Sequence, residues 1–270
     1  MAAADRLFAG SVPEIYDGFL VPLIFNSYAS DLADRLAALK PREVLETAAG
    51  TGALTRAIAS RLQPEARIVA TDLNQPMLDR AAAIQSHDQR IEWLQADALA
   101  LPFEDHEFDA VACQFGVMFF PDKVLGYKEA HRVLKTGGRF LFNVWDHISE
   151  NEFASVVTQA LAALFPQNPP AFLARTPHGY HDVARIRRDL SEAGFTSISV
   201  ETRQDISLAN SPRDVAIAYC QGTPLRNEIE DRNPLWLENA TQASADALVE
   251  QFGTGPIQGR IGAHVITAIR

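Results

Sequence analysis

The chain has 270 residues, 47% hydrophobic and 21% charged, with a net charge of −10. That length and composition suit one large α/β domain, or a core domain with an insertion, and exclude a disordered chain. The negative balance argues against a nucleic-acid groove, which needs clustered Lys and Arg, and the basic run Arg185, Arg187 and Arg188 reads as a solvated helix face.

The first forty residues read as two helices in front of a sheet, with Pro13 and Pro22 as breakers. Apolar runs then alternate with amphipathic ones, as strands do with helices around a parallel sheet. Strands are expected at residues 43–48, 67–72, 91–95 and 108–115, with helices at 53–62, 75–84 and 123–134. A turn at Gly137-Gly138 stops the last of these helices, and a strand follows at 139–145. A helix over 182–193 ends at Gly194, a good C-terminal glycine, and leads to a strand at 197–202; the last strand is 263–269.

Two stretches break the rhythm. Residues 150–180 join an apolar helix, 153–164, to the Pro-rich run FPQNPPAFLARTPHGY, and residues 204–258 read as a helical insertion between the last two strands. Segments added to a complete α/β core usually cover its ligand crevice. The expected organisation is therefore a single domain over residues 1–270, with a helical cover at 1–40 and lid or substrate insertions at 150–180 and 204–258. With only Cys113 and Cys220, no basic-then-apolar leader and no apolar run of membrane-spanning length, the expected location is the reducing cytoplasm.

The chemistry concentrates in residues 44–97. VLETAAGTGALT, residues 44–55, is an apolar strand that enters a glycine turn and then a helix. Gly50 and Gly52 let the backbone turn tightly and approach a ligand, and the helix start offers unpaired N–H groups to a carboxylate or phosphate. Asp72 ends the second strand, where a carboxylate can accept both hydroxyls of a ribose. Asp97, in QADALALPF, lies just past the third strand, where it can read the exocyclic amine of adenine. Each acid alone has an equal reading as a loop residue or cap. Together Glu46, Asp72 and Asp97 mark the carboxyl ends of three successive strands, along the crevice where open α/β sheets bind ligands.

A nicotinamide dinucleotide is the nearest rival ligand. Its fingerprint needs a third glycine for close packing around a pyrophosphate; read from Gly50, that position is Thr55. Glu46, just before the turn, is poorly placed beside a pyrophosphate and well placed for the ammonium of an amino acid. An adenosine that carries an amino acid is favoured.

The stretches VLETAAGTG, VATDLNQPML, QADALALPFEDHEFDAV and VLKTGGRFLFNVWD, in that order, resemble the class I S-adenosylmethionine-dependent methyltransferases, in particular the branch of the ubiquinone and menaquinone biosynthesis C-methyltransferases. The resemblance implies a Rossmann-like, seven-stranded mixed sheet of order 3-2-1-4-5-7-6, the last strand antiparallel, with helices on both faces. It implies Glu46 and the Gly50–Gly52 turn around the methionine part, Asp72 on the ribose, and Leu73 and Met77 against the adenine. Asp97 and Ala98 would meet the adenine edge, and Gln114 would lie near the cofactor. Ala48 departs from the family pattern, which has its first glycine there, so a slightly altered turn with binding retained is expected.

Methyl transfer from a sulfonium is an in-line displacement with a good, neutral leaving group, so positioning supplies most of the acceleration. A general base is needed only where the acceptor loses a proton of high pKa, and no dyad stands out. The candidates are Tyr16 ahead of the sheet, Asp146 beside His147 at the end of the fifth strand, and His178 and Tyr180 in RTPHGYHD; capping and packing are competing readings for each. His106 belongs to the opposite edge, His131 to a helix surface or its packing, and Asp182 reads as an N-cap. The run FGVMFF, residues 115–120, is at least half core, the rest a surface for an apolar acceptor. The expectation is a methyltransferase, using no metal, that acts at O, N or C of a small, partly apolar molecule. The alternatives are a non-catalytic S-adenosylmethionine-binding protein and an NAD(P)-dependent oxidoreductase.

Overall fold

In the computed structural model, residue 8 and residues 10–270 are described. The strands are β1 Glu43–Thr47, β2 Arg67–Asp72, β3 Ile91–Gln95, β4 Phe108–Gln114, β5 Leu134–Trp145, β6 Ser197–Ala209 and β7 Ile257–Ile269. They form one sheet in the order β3-β2-β1-β4-β5-β7-β6, as the resemblance implies. β3, β2, β1, β4 and β5 pair in parallel. β7 runs against β5: the Gly137 N–H donates to the Arg270 carbonyl at one end, and the Asp146 N–H to that of Gly262 at the other.

Helices α2 Asn26–Ala38, α3 Ala53–Ala59, α4 Gln75–Ile84, α5 Lys123–Val133 and α8 Val183–Glu192 belong to the sheet. Alternation along the strands decides what each face meets. Val44, Ile68, Ala70, Ala110, Ala112 and Leu141 pack with Leu32 and Leu36 of α2 and Leu54 and Ile58 of α3. Phe140 and Phe142, either side of Leu141, instead meet Tyr127 of α5.

The chain forms two compact units. One gathers residues 26–144, 180–203 and 263–270, and thus most of the sheet; the other gathers the N-terminal stretch to Phe25 with residues 145–179 and 204–262. The second unit contains α1 Val12–Ile15, a π-helix Tyr16–Phe25, α6 Glu152–Leu164, α7 Phe172–Arg175, α9 Pro212–Gln221, α10 Leu225–Arg232 and α11 Leu237–Phe252. Among the described residues no helix is long and apolar enough to cross a membrane.

Several boundaries differ from the sequence expectation. Leu134 leaves α5 with extended dihedrals, so the helix ends without help from Gly137-Gly138, which lie inside β5 and pair with Arg270. β6 and β7 run on to Ala209 and back to Ile257, so the insertion is helical only between them. Pro13 opens α1, where a missing N–H is harmless, and Pro22 sits inside the π-helix; neither ends a helix. The stretch expected as two helices before the sheet holds three elements, and α1 with the π-helix packs on α9 while α2 packs on α3 and β4. The Pro-rich run contains the short α7.

Candidate cofactor site

Parallel pairing brings the carboxyl ends of β1 to β4 to one edge. Thr47 lies opposite Thr71, Asp72 opposite Gln95, and Gln114 opposite Asn143. Glu46 shares the strand face of Val44, which α3 covers, and is 1% exposed. The Thr55 hydroxyl, in the first turn of α3, donates to its Oε2 at 2.7 Å. Burial pushes the Glu46 carboxyl up to about 8; the Thr55 bond and the Arg56 charge pull it down, and Asp72 pushes the same way as burial.

Three residues of the turn take left-handed dihedrals: Ala48, Gly50 and Gly52, with φ of 53°, 58° and 80°. Ala48 holds a left-handed conformation that glycine adopts freely, at a cost of roughly 1–2 kcal/mol. Its methyl faces Gly116, where any Cβ would lie 2.4 Å from that of Ala48. The turn is braced by Arg56, which donates to the Thr51 carbonyl at 2.7 Å. Among the described residues the buried Thr51 hydroxyl has no hydrogen-bond partner.

Asp72 ties this turn to the next. Its Oδ2 accepts from the Gly50 N–H at 2.9 Å, and its Oδ1 from the backbone and side-chain amides of Asn74 at 2.8 and 3.3 Å. Burial raises its pKa, and these bonds oppose the rise. Three of the roughly four acceptor positions of the carboxylate are thus already used by the protein. Met77 is buried, and its Cε is the nearest atom to where a Gly50 Cβ would stand, whereas Leu73 is exposed. Asp97 is exposed and accepts from the Leu99 N–H at 2.9 Å; Ala98 and Gln114 are half-buried.

Of the catalytic candidates, Asp146 and His178 are in contact with each other. Tyr16 opens the π-helix and stacks on Phe25 with centroids 5.2 Å apart. Asp146 accepts the His147 N–H at 2.7 Å, as a loop-capping residue does, and its carbonyl meets Nδ1 of the buried His178 at 2.9 Å. These residues belong to the second unit; Tyr180 belongs to the sheet unit. The Tyr180 hydroxyl donates to Asp189 at 2.6 Å and lies 3.3 Å from that of Tyr127, and burial raises its pKa. Asp182 caps α8 by accepting from Ala184 and Arg185. His106 sits beside Arg270 before β4, and His131 packs edge-on to Phe195. In FGVMFF only Phe119 is not buried.

Residues 22–201 match the model of the ubiE/COQ5 methyltransferase family. The chain belongs to that family. It is 34% identical to the demethylmenaquinone methyltransferase of Deinococcus radiodurans over 72% of this chain and 85% of that one. With the ubiquinone/menaquinone biosynthesis C-methyltransferase UbiE of Hahella chejuensis it shares 39% identity over 36% of this chain and 41% of the relative. Across the first curated relatives the match spans only 41% to 66% of their own length. The solved phosphoethanolamine N-methyltransferase 2 of Haemonchus contortus, in complex with phosphomonomethylethanolamine and S-adenosylhomocysteine, shares the fold at a TM-score of 0.62 and 17% identity, over all of this chain and 61% of that one.

Sequence reasoning missed four contributors to this family member's site. In the sequence Thr55 stands where a dinucleotide fingerprint has glycine, yet in the fold it is the hydrogen-bond partner of Glu46. Asn74 holds Asp72; an Asn two residues after a strand-end acid is a local signal that was available. Gly116 receives the Ala48 methyl, and Asn143 accepts the Phe115 N–H at 3.0 Å; both depend on pairings far apart in the chain.

Proposed function

We propose that the protein transfers a methyl group from S-adenosylmethionine to a small, partly apolar, quinone-like acceptor. The observation that carries this is the assembly of Glu46, the left-handed turn and Asp72 at the adjoining ends of β1 and β2 in a member of this family. The residues fit the cofactor. Glu46 would take its ammonium; the turn and the start of α3, with the unpartnered Thr51 hydroxyl, its carboxylate. Asp72 would take the ribose, Leu73 and Met77 the adenine face, Asp97 and Ala98 its edge, and Gln114 would lie close by. When bound, S-adenosylmethionine supplies a methyl group on a sulfonium, ready for in-line displacement. The chain's part is to hold cofactor and acceptor in line and to exclude water.

The names of the relatives, demethylmenaquinone methyltransferase and C-methyltransferase, support a quinone-type acceptor and a carbon as the atom methylated. Tyr16, Asp146, His178 and Tyr180 are the groups to test for acceptor contact, and the segments 1–40, 150–180 and 204–258 for its cover. Both cysteines are free and buried, which suits a reducing compartment such as the cytoplasm. Incubation of the full chain with S-adenosylmethionine and a panel of reduced quinones, phenols and amines tests this reading. S-adenosylhomocysteine is expected with a reduced quinone. Cofactor binding with no turnover across the panel would favour a non-catalytic binding protein instead.

A further inference from the structure

We propose that Thr55 is the positioning residue for the cofactor's ammonium end, acting through Glu46, and that cofactor entry drives a proton off Glu46. The inference rests on the reading of the site given above. Glu46 and Thr55 are 1% and 0% exposed, and the 2.7 Å contact between them spans the turn from β1 to α3. It is the one hydrogen bond of the Glu46 carboxyl among the described residues, so Oε2 is anchored and Oε1 has no donor.

Thr55 bonds Glu46 in place of the usual helical partner. A helical threonine tends to bond back to the carbonyl four residues earlier. Here that carbonyl, of Thr51, is engaged by Arg56. A helical threonine has two common χ1 rotamers, and the bond to Glu46 holds the Thr55 hydroxyl in one direction.

The surroundings favour a neutral carboxyl in the empty site. The charged and titratable groups that face Glu46 are Arg56 from α3, Asp72 from β2 and Cys113 from β4. Arg56 favours the anion, Asp72 opposes it, and the Cys113 thiol is itself pushed up to about 12 by burial. A carboxylate buried with a single hydroxyl donor is unstable, in keeping with the rise of Glu46 to about 8. An ammonium at Oε1 brings the missing counter-charge and the missing donors. The carboxyl then loses its O–H proton to the buffer, the ammonium keeps its own, and no bond of the cofactor changes.

The test is calorimetric titration of the full chain with S-adenosylhomocysteine in buffers of different ionisation enthalpy, which counts protons. At about pH 6, below the titration range of a free α-amino group, the unmodified chain is expected to release about one proton per ligand bound. Glu46→Gln should release none. Thr55→Val should bind about tenfold more weakly, and its proton release should persist to higher pH, because the bond that favours the anion is gone. Thr55→Ser should restore both properties, which a merely structural role for the threonine would not require. Binding without proton release in the unmodified chain would overturn the coupling and leave the cofactor reading intact. Equal affinity and pH profile in Thr55→Val would overturn the positioning role. No binding of S-adenosylhomocysteine at all would overturn the functional reading and this inference with it.

Discussion

The carboxyl edge of the sheet and the second compact unit stand in contrast as pieces of protein. At the edge, residues 44–97 contain two nearly buried acids, a run of left-handed backbone and the hydroxyl that holds Glu46. The second unit draws its interior from three stretches far apart in the chain. Phe153 of α6 packs edge-on against Phe252 of α11 with centroids 5.1 Å apart, and the Ser207 hydroxyl donates to the Leu23 carbonyl at 2.7 Å. The first region spends stability on polar groups in exact conformations, as ligand recognition requires. The second is held by apolar packing, which many sequences satisfy and which names no ligand. Chemistry is therefore readable in one region and only architecture in the other.

That contrast can be broken by measurement. If packing governs the second unit, Phe153→Ala should lower stability by about 3–5 kcal/mol in a denaturant titration, since the ring is fully buried. A cost under about 1 kcal/mol would mean that the unit is loosely packed.

The edge should behave in the opposite sense. Glu46 is raised from 4.5 to about 8 in the folded state, so the unfolded chain gives up this proton first. Its contribution makes the empty protein most stable at low pH, and stability falls as pH rises toward about 8. Glu46→Gln should therefore stabilise the empty protein at about pH 8, by on the order of 4 kcal/mol, and have little effect near pH 4. Thermal melts across this range would show a flatter profile for the variant; parallel profiles would mean that Glu46 is not neutral when folded.

The turn supplies a smaller effect. Gly116→Ala places a Cβ 2.4 Å from that of Ala48 and should cost about 2 kcal/mol. Ala48→Gly in the same chain should recover part of it, and a strictly additive double variant would deny the contact. Smallest is Tyr180→Phe, expected to cost about 1 kcal/mol through the lost bond to Asp189.

Much of the sheet was legible because its signals are local. The expected ranges 67–72, 75–84 and 91–95 coincide with β2, α4 and β3, where an apolar run ends in a polar cap and Pro76 opens the helix. The sequence carries no continuous apolar run over the outer halves of β6 and β7, which alternate exposed residues with half-buried ones in β6 and with buried ones in β7. The acids of the edge could be placed by counting from strand ends. What holds them could not: Thr55 on Glu46 follows from how α3 leaves the turn, and Gly116 opposite Ala48 from the pairing of β1 with β4. For the catalytic candidates the sequence conveys residue type and place along the crevice side, whereas the bonds of Asp146 to His147 and of Tyr180 to Asp189 follow from folded geometry.

The edge built by Glu46, the turn and Asp72 is expected to take S-adenosylmethionine. Its most direct test is calorimetric titration of the unmodified chain and of Asp72→Ala with S-adenosylmethionine and with NAD. Binding of S-adenosylmethionine alone is expected, weakened by about a hundredfold in Asp72→Ala, where the charged acceptor of the Gly50 N–H is lost along with the ribose contact. Binding of NAD alone, or an unchanged affinity in the variant, would contradict it.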